Sequence, residues 1–200
     1  MAVLIDYKIP KQSFELIRDQ VASILALEWA DQDAFQVTNA NTQVYTERIV
    51  PPEANEQRII NVMVNNVAFD GHTVQQTDDT VTLFIDCYVK AKFTKTQNGD
   101  QLALSRLHRM LGTCRAILEN TRYKTMGFTA PFIMHRRALR IEIAQPNTQN
   151  ADSHVMGRLV FEVKAPDANE GVEGVLFGQN DTTVFLNETN KGYLWTTVSS

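Results

Sequence analysis

Between Thr80 and Tyr123 the spacing of apolar residues changes once, and the change separates two elements. Val81, Leu83, Ile85, Cys87, Val89, Ala91 and Phe93 occupy every second position, with Thr82, Asp86, Lys90 and Lys92 among the residues between them. Successive side chains of a strand point to opposite sides, so this alternation predicts a strand with one apolar and one wet face. Thr96-Gln97-Asn98-Gly99-Asp100 breaks the pattern with turn residues, and Asp100 is suited to cap a helix. Leu104, Leu107, Leu111, Cys114 and Leu118 then recur at steps of three and four, flanked by Ala103, Met110 and Ile117. This is the stripe of an amphipathic helix over 101–123, about six turns and about 33 Å long. A strand and a helix that are each apolar on one side bury those sides against each other.

The remaining periodicity adds similar pieces. Ser13 is a candidate helix cap with Glu15 in the first turn, and Phe14, Ile17, Val21, Ile24 and Leu25 predict a helix over 13–30. Glu28, Asp31 and Asp33 give that helix an acidic C-terminal end, unfavourable for its dipole unless solvent or a basic surface meets it. Residues 43–46 predict a short strand, which Pro51-Pro52 separates from a second over 57–67 carrying Ile60, Val62 and Val64. The second strand and the long one are expected to pair antiparallel. Residues 126–132 read as a connection with exposed apolar residues. Leu139, Ile141 and Ile143 alternate with Arg140 and Glu142, and Val155, Leu159, Phe161 and Val163 stand against Arg158 and Glu162, which predicts a hairpin. The expected fold is α+β: a mainly antiparallel sheet of about four strands with both helices packed on one face.

Composition shifts at Ala165-Pro166, dividing a domain of residues 1–165 from a segment of residues 166–200. That segment is polar except for Val175-Leu176-Phe177, Val184-Phe185-Leu186 and Tyr193-Leu194-Trp195. It is read either as an extra hairpin on its own domain or as an arm. In the second case Leu176, Phe177, Phe185, Leu194 and Trp195 dock on another chain, because apolar clusters in a polar segment need a surface to cover them.

The totals narrow the chemistry. With 44% apolar and 21% charged residues in 200, the chain is an ordinary globular protein. Its net charge of −4 argues against a dedicated nucleic-acid binder. Cys87 and Cys114 fall on apolar registers and read as buried reduced thiols. Neither a signal peptide nor a membrane-spanning run is expected, which places folding in a cytoplasm. His72, His108, His135 and His154 lack ligand spacing, no catalytic motif appears, and no metal, cofactor or enzymatic activity is expected. Asp86, Glu142 and Glu162 share polar strand registers; a carboxylate cluster is one reading, and cross-strand pairing with Arg140, Arg158 and Lys90 the simpler one. The basic residues are more pointed. Arg106, Arg109, Arg115, Arg122 and Lys124 make the second helix cationic, and His135, Arg136, Arg137 and Arg140 enter the third strand. Against the reading of a solvated face stands an electrostatic contact through Arg106, Arg109, Arg115, Arg136, Arg137 and Arg140. Acids at Glu28–Asp33, Asp78-Asp79 or Asp167–Glu173 of another copy would meet them, and such heterologous contacts close into rings.

The N-terminal amphipathic helix, the alternating strand 81–93 followed by helix 101–123, and the late hairpin 138–163 together resemble the tail terminator proteins of long-tailed bacteriophages. These are also called tail completion or tail-to-head joining proteins. The resemblance covers residues 10–165 and rests on architecture, with no short motif and no site residues to carry over. It implies a homo-oligomeric ring, a hexamer, that caps the head-proximal end of the tail tube in the virion and halts its growth. The implied partners are the tail tube protein, a neck or head-completion protein, a sheath protein where the tail is contractile, and DNA passing through the channel. Residues 165–200 depart from the family pattern. Another neck or connector subunit, and a small enzyme whose site forms only in three dimensions, are the alternatives.

Overall fold

The computed structural model describes residues 11–35, 42–50, 52–53, 56–69, 78–91, 99–128, 132–144 and 153–166. These form helix α1 (Ser13–Phe35), strands β1 (Thr42–Thr46), β2 (Arg58–Phe69) and β3 (Asp78–Ala91), helix α2 (Gly99–Glu119), and strands β4 (His135–Ile143) and β5 (Ser153–Pro166). The fold is α+β. One sheet has the order β1-β2-β3-β5-β4, five strands where about four were expected. β2 and β3, β3 and β5, and β4 and β5 pair antiparallel; β1 lies parallel to β2. Phe93 and the apolar islands beyond Pro166 lie outside the described residues.

Both helices cover one face. β3 is the central strand, and its Val81, Leu83, Ile85, Cys87 and Val89 are at most 1% exposed. They meet Ile60 and Val62 of β2, Leu159 and Phe161 of β5, and Leu107, Leu111 and Leu118 of α2 in one core. α1 lies over β1 and β2, and α2 over β3 and β5. Where the helices meet, the Trp29 indole N–H donates to Cys114 Sγ at 3.4 Å, and Cys114 Sγ lies 4.0 Å from Cys87 Sγ. Both thiols are free and buried, and the contact with Cys114, followed by burial, raises the Cys87 pKa well above the ordinary thiol range.

The ends of the helices differ from expectation. α1 continues one turn past residue 30. Its cap is formed by Gln12 and Glu15: the Gln12 carbonyl accepts from the Leu16 N–H, and Glu15 Oε2 accepts from the Gln12 N–H at 2.9 Å. Ser13 is buried instead, and its hydroxyl donates to the Asp79 carboxylate. The acidic end of α1 finds partners in its own chain. Glu28 accepts from the Tyr123 hydroxyl, and Asp33 accepts from the Thr42 N–H at 2.8 Å and from Arg58 Nη1 at 3.1 Å. α2 stops at Glu119, short of residue 123, because Asn120 turns extended (φ −64°, ψ 136°) and caps a 3-10 turn over Thr121–Tyr123. The connection after it is not an exposed apolar one. Met126, at φ 52°, is fully buried, and the Phe128 and Phe132 rings pack 4.5 Å apart against the core.

Along the second face of β3 the residues are half-buried, except that Asp86 is fully buried. Asp86 is 1% exposed and accepts from Arg158 Nε at 2.6 Å and Nη2 at 2.8 Å, while the guanidinium stacks 3.9 Å above the Phe84 ring. Arg140 pairs with Glu142 at 2.6 Å and Arg137 with Glu162 at 2.8 Å. The carboxylates on polar registers are therefore held in separate cross-strand or same-strand pairs. Arg48, Ile49, Val50 and Pro52, in the connection from β1 to β2, line a hollow of about 270 Å³ with Ile59, Asn61 and Tyr88 on this face.

Gly157 sets how closely α2 approaches the sheet. A methyl added there would lie 2.7 Å from Leu111 Cδ1, 3.3 Å from Leu107 Cδ2 and 3.3 Å from the Glu142 carbonyl oxygen. Gly157→Ala should cost about 1–3 kcal/mol by overpacking, and Leu111→Ala about 2–5 kcal/mol by leaving a cavity. In urea unfolding the double variant should lose less than the sum of the two, because the cavity accommodates the methyl. Strict additivity would show that α2 does not rest on Gly157.

Candidate assembly interface

The six cations singled out in the sequence do not form one patch. Arg106 and Arg109 stand exposed on the outer face of α2 and make no ion pair among the described residues. Arg115, one turn on, pairs with Glu119 at 2.9 Å. Arg109 also borders a groove of about 500 Å³ between α2 and the end of α1, with Glu28, His108, Gly112, Thr113 and Tyr123 around it. At Gly112 a methyl would meet nothing within 4 Å, so the groove is open there. The Tyr123 hydroxyl pKa is raised by its bond to the Glu28 carboxylate.

The other three belong to β4, and the pleat divides them. Arg136 lies on the helix-side register opposite Val163, and its Nη2 donates to the Asn120 carbonyl at 2.7 Å, tying β4 to the end of α2. Partial burial lowers its pKa. It borders a second hollow, of about 380 Å³, with Glu119, Lys124, Ile133, Met134 and His135. Arg137 and Arg140 project on the opposite face, each paired as described above. Four of the six cations are thus engaged within the chain, and Arg106 and Arg109 are the ones left open.

The candidate acids are engaged in a similar way. Glu28 and Asp33 are bound as above, Asp78 pairs with Lys164 at 3.3 Å, and Asp79 is 1% exposed. Asp31 is exposed, whereas Asp167–Glu173 lies outside the described residues, as do Leu176, Phe177, Phe185, Leu194 and Trp195. Exposed apolar side chains gather elsewhere. Leu139, Ile141 and Ile143 of β4 are 38, 42 and 42% exposed, and Leu27 and Phe35 of α1 are more open still.

One polar cluster had no sequence signal. Arg48 forms two bonds to Glu56, 2.6 and 2.8 Å long, while the Tyr45 hydroxyl donates to the same carboxylate at 2.9 Å. The Arg48 guanidinium also lies 4.4 Å over the Tyr45 ring. Asn61 clamps the backbone of Arg48 through both its N–H (2.9 Å) and its carbonyl (2.8 Å). These residues are separated in sequence and meet because β1 and β2 run parallel, which sets Tyr45 opposite Asn61, with their connection folded back. Arg48, followed by the Glu53 N–H and the Tyr45 hydroxyl, lowers the Glu56 pKa from 4.5 to about 2. A carboxyl with a depressed folded-state pKa stabilises the native state above its ordinary pKa and loses that contribution as pH falls. Wild type should therefore lose stability between about pH 4.5 and 2 relative to Glu56→Gln. Parallel unfolding curves across that window would refute the clamp.

Among the described residues no group of three or more His, Cys, Asp or Glu is placed to hold a metal ion, and no helix is long and apolar enough to cross a membrane. His108 and His135 are exposed. Comparison with protein-family models and with curated proteins finds no match to this chain.

Proposed function

We propose that the chain is a structural subunit of a long-tailed phage virion. In this reading copies of it form a ring on the head-proximal end of the tail tube, end the tube's growth and join the tail to the neck. The observation that carries the reading is the cationic outer face of α2, where Arg106 and Arg109 stand exposed with no ion pair among the described residues. Unsatisfied charge on a surface whose other charges are paired favours contact with a second acidic surface, and a heterologous contact that closes on itself makes a ring. The α+β architecture, with two helices on one sheet face, supports the same assignment through its likeness to tail terminators. The proposed partners are further copies of the chain, the tube protein, a neck protein, a sheath where the tail is contractile, and DNA in transit.

Native mass spectrometry tests the ring directly: six copies of the 22.6 kDa chain should appear at about 136 kDa. Reversing both open charges, Arg106→Glu with Arg109→Glu, should shift the population toward monomer. The unfolding midpoint should hardly move, since exposed charges contribute about 0–1 kcal/mol to stability. Tail tubes polymerised alone should overrun, and added protein should stop them at a uniform end. A chain that stays monomeric at high concentration and ignores tube ends would overturn the assignment.

A further inference from the structure

We infer that Ile49 and Val50, at the tip of the β1–β2 connection of one copy, insert into the hollow between the end of α2 and the start of β4 in the next copy. The inference rests on the proposed self-assembly and names a contact that links one subunit to its neighbour.

The tip is apolar, exposed and fixed. Ile49 is 95% exposed and Val50 66%, and Ile49 is the most exposed large apolar side chain among the described residues. Water favours turning such side chains inward, yet the connection is tied so that they stay out. It leaves β1 through Glu47 at φ 52°, a backbone conformation that costs a residue other than glycine energy, and the Glu47 N–H donates to the Val62 carbonyl at 3.0 Å. Arg48 Nε donates to the Val50 carbonyl at 3.2 Å, and Glu56 Oε2 accepts from the Glu53 N–H at 2.7 Å. The Arg48–Glu56 pair thus joins the two limbs of the connection, while Asn61 holds the Arg48 backbone. Strained backbone and charge-assisted bonds around an exposed apolar pair suit an interface anchor, because little freedom is left to lose on binding.

The hollow has the complementary chemistry. Ile133 and Met134 line it, Met134 is 51% exposed, and Lys124, His135 and Arg136 stand around them. Its one acid, Glu119, is occupied by Arg115 and by the Ala138 N–H. Lys124 and His135 are exposed with no ion pair among the described residues. Beside the tip stands Glu53, exposed and in no ion pair among the described residues either. Apolar tip against apolar lining, and acid against the basic rim, match in one orientation. A tip and a hollow of the same copy do not meet. The tip lies beside Tyr88 on the outer face of the sheet, and the hollow beside Arg136 on the helix-side register. Tyr88 is opposite Met156 and Arg136 opposite Val163, which are about 23 Å apart along β5. A knob and a socket at separate places on one body join copies head to tail, the kind of contact that closes into a ring.

The test makes Ile49→Cys and Met134→Cys singly and together in the full chain and treats each with a short bis-maleimide. Cys87 and Cys114 are buried, so the reagent reads the introduced positions. The double variant should give a ladder of linked chains that stops at the size of the ring, and mixing the two single variants should give dimers that neither gives alone. In the otherwise unaltered chain Ile49→Asp should raise the concentration needed for ring formation about tenfold, the scale of losing one apolar anchor. A ring of the expected mass in which positions 49 and 134 do not cross-link would overturn the docking and leave the ring standing. Dimers from Ile49→Cys alone, the mark of a symmetric contact, would also overturn it, as would links confined to one chain. A sample with no oligomer at all would overturn both the docking and the ring.

Discussion

Asp86 is the residue on which the sheet's second face depends. It sits near the middle of the central strand, with β2 on one side and β5 on the other, and is 1% exposed. A buried carboxylate left without a partner costs several kcal/mol, so this position demands a cation in a fixed geometry. Arg158 supplies it from the directly opposed position of β5, through two charge-assisted bonds and a stack on Phe84. Slipping β5 by one residue would bring Arg158 to the helix side and Leu159 to the outer side, and would strand the carboxylate. The pair therefore contributes register as well as energy. The bond also holds Arg158 more firmly protonated than usual, so nothing near neutral pH loosens it.

This distinguishes the charges that hold the fold from those available for other work. Removing one partner of a buried pair costs about 3–5 kcal/mol, whereas an exposed pair such as Arg140 with Glu142 is worth about 0–1 kcal/mol. Arg158 with Asp86 belongs to the first kind; the side chains of Arg137, Arg140 and Arg115 are more than half exposed and belong to the second. Exchanging a weak internal pair for a contact between copies costs the monomer little. Arg106 and Arg109 need no exchange at all.

Periodicity made the helix face of the sheet legible because that face follows one rule: Val81 to Ala91 and Leu107 to Leu118 bury whatever lies on the stripe. The antiparallel pairs and the placement of both helices follow from it. What escaped depends on non-local geometry. The short strand over 43–46 was expected, but its parallel place beside β2 goes with the clamp of Asn61 on Arg48, which no local pattern reports. Ser13 fits a cap by type, yet Gln12 and Glu15 form the cap because Asp79 draws the serine hydroxyl inward. Alternation predicted Asp86 on a wet face, but the pattern along one strand does not show that Arg158 of the neighbouring strand reaches over Phe84 to bind that carboxylate. The candidate site fared similarly: the cations were found by type, and only the pleat and the end of α2 separate the open ones from the engaged.

The distribution of net charge gives the last step. Because the excess acid lies wholly in residues 167–200, the preceding part of the chain is electrically balanced and keeps its own acids close to its own bases. A balanced body has little long-range drive to associate in a wrong orientation, while an acidic segment is steered toward whichever basic surface remains open. The outer face of α2 offers that surface through Arg106 and Arg109, both exposed and in no ion pair among the described residues. In the proposed ring such attraction is directional, from the acidic residues of one copy to the basic face of the next. Directional contact is what a closed ring requires, whereas a symmetric patch meeting itself would stop at a dimer.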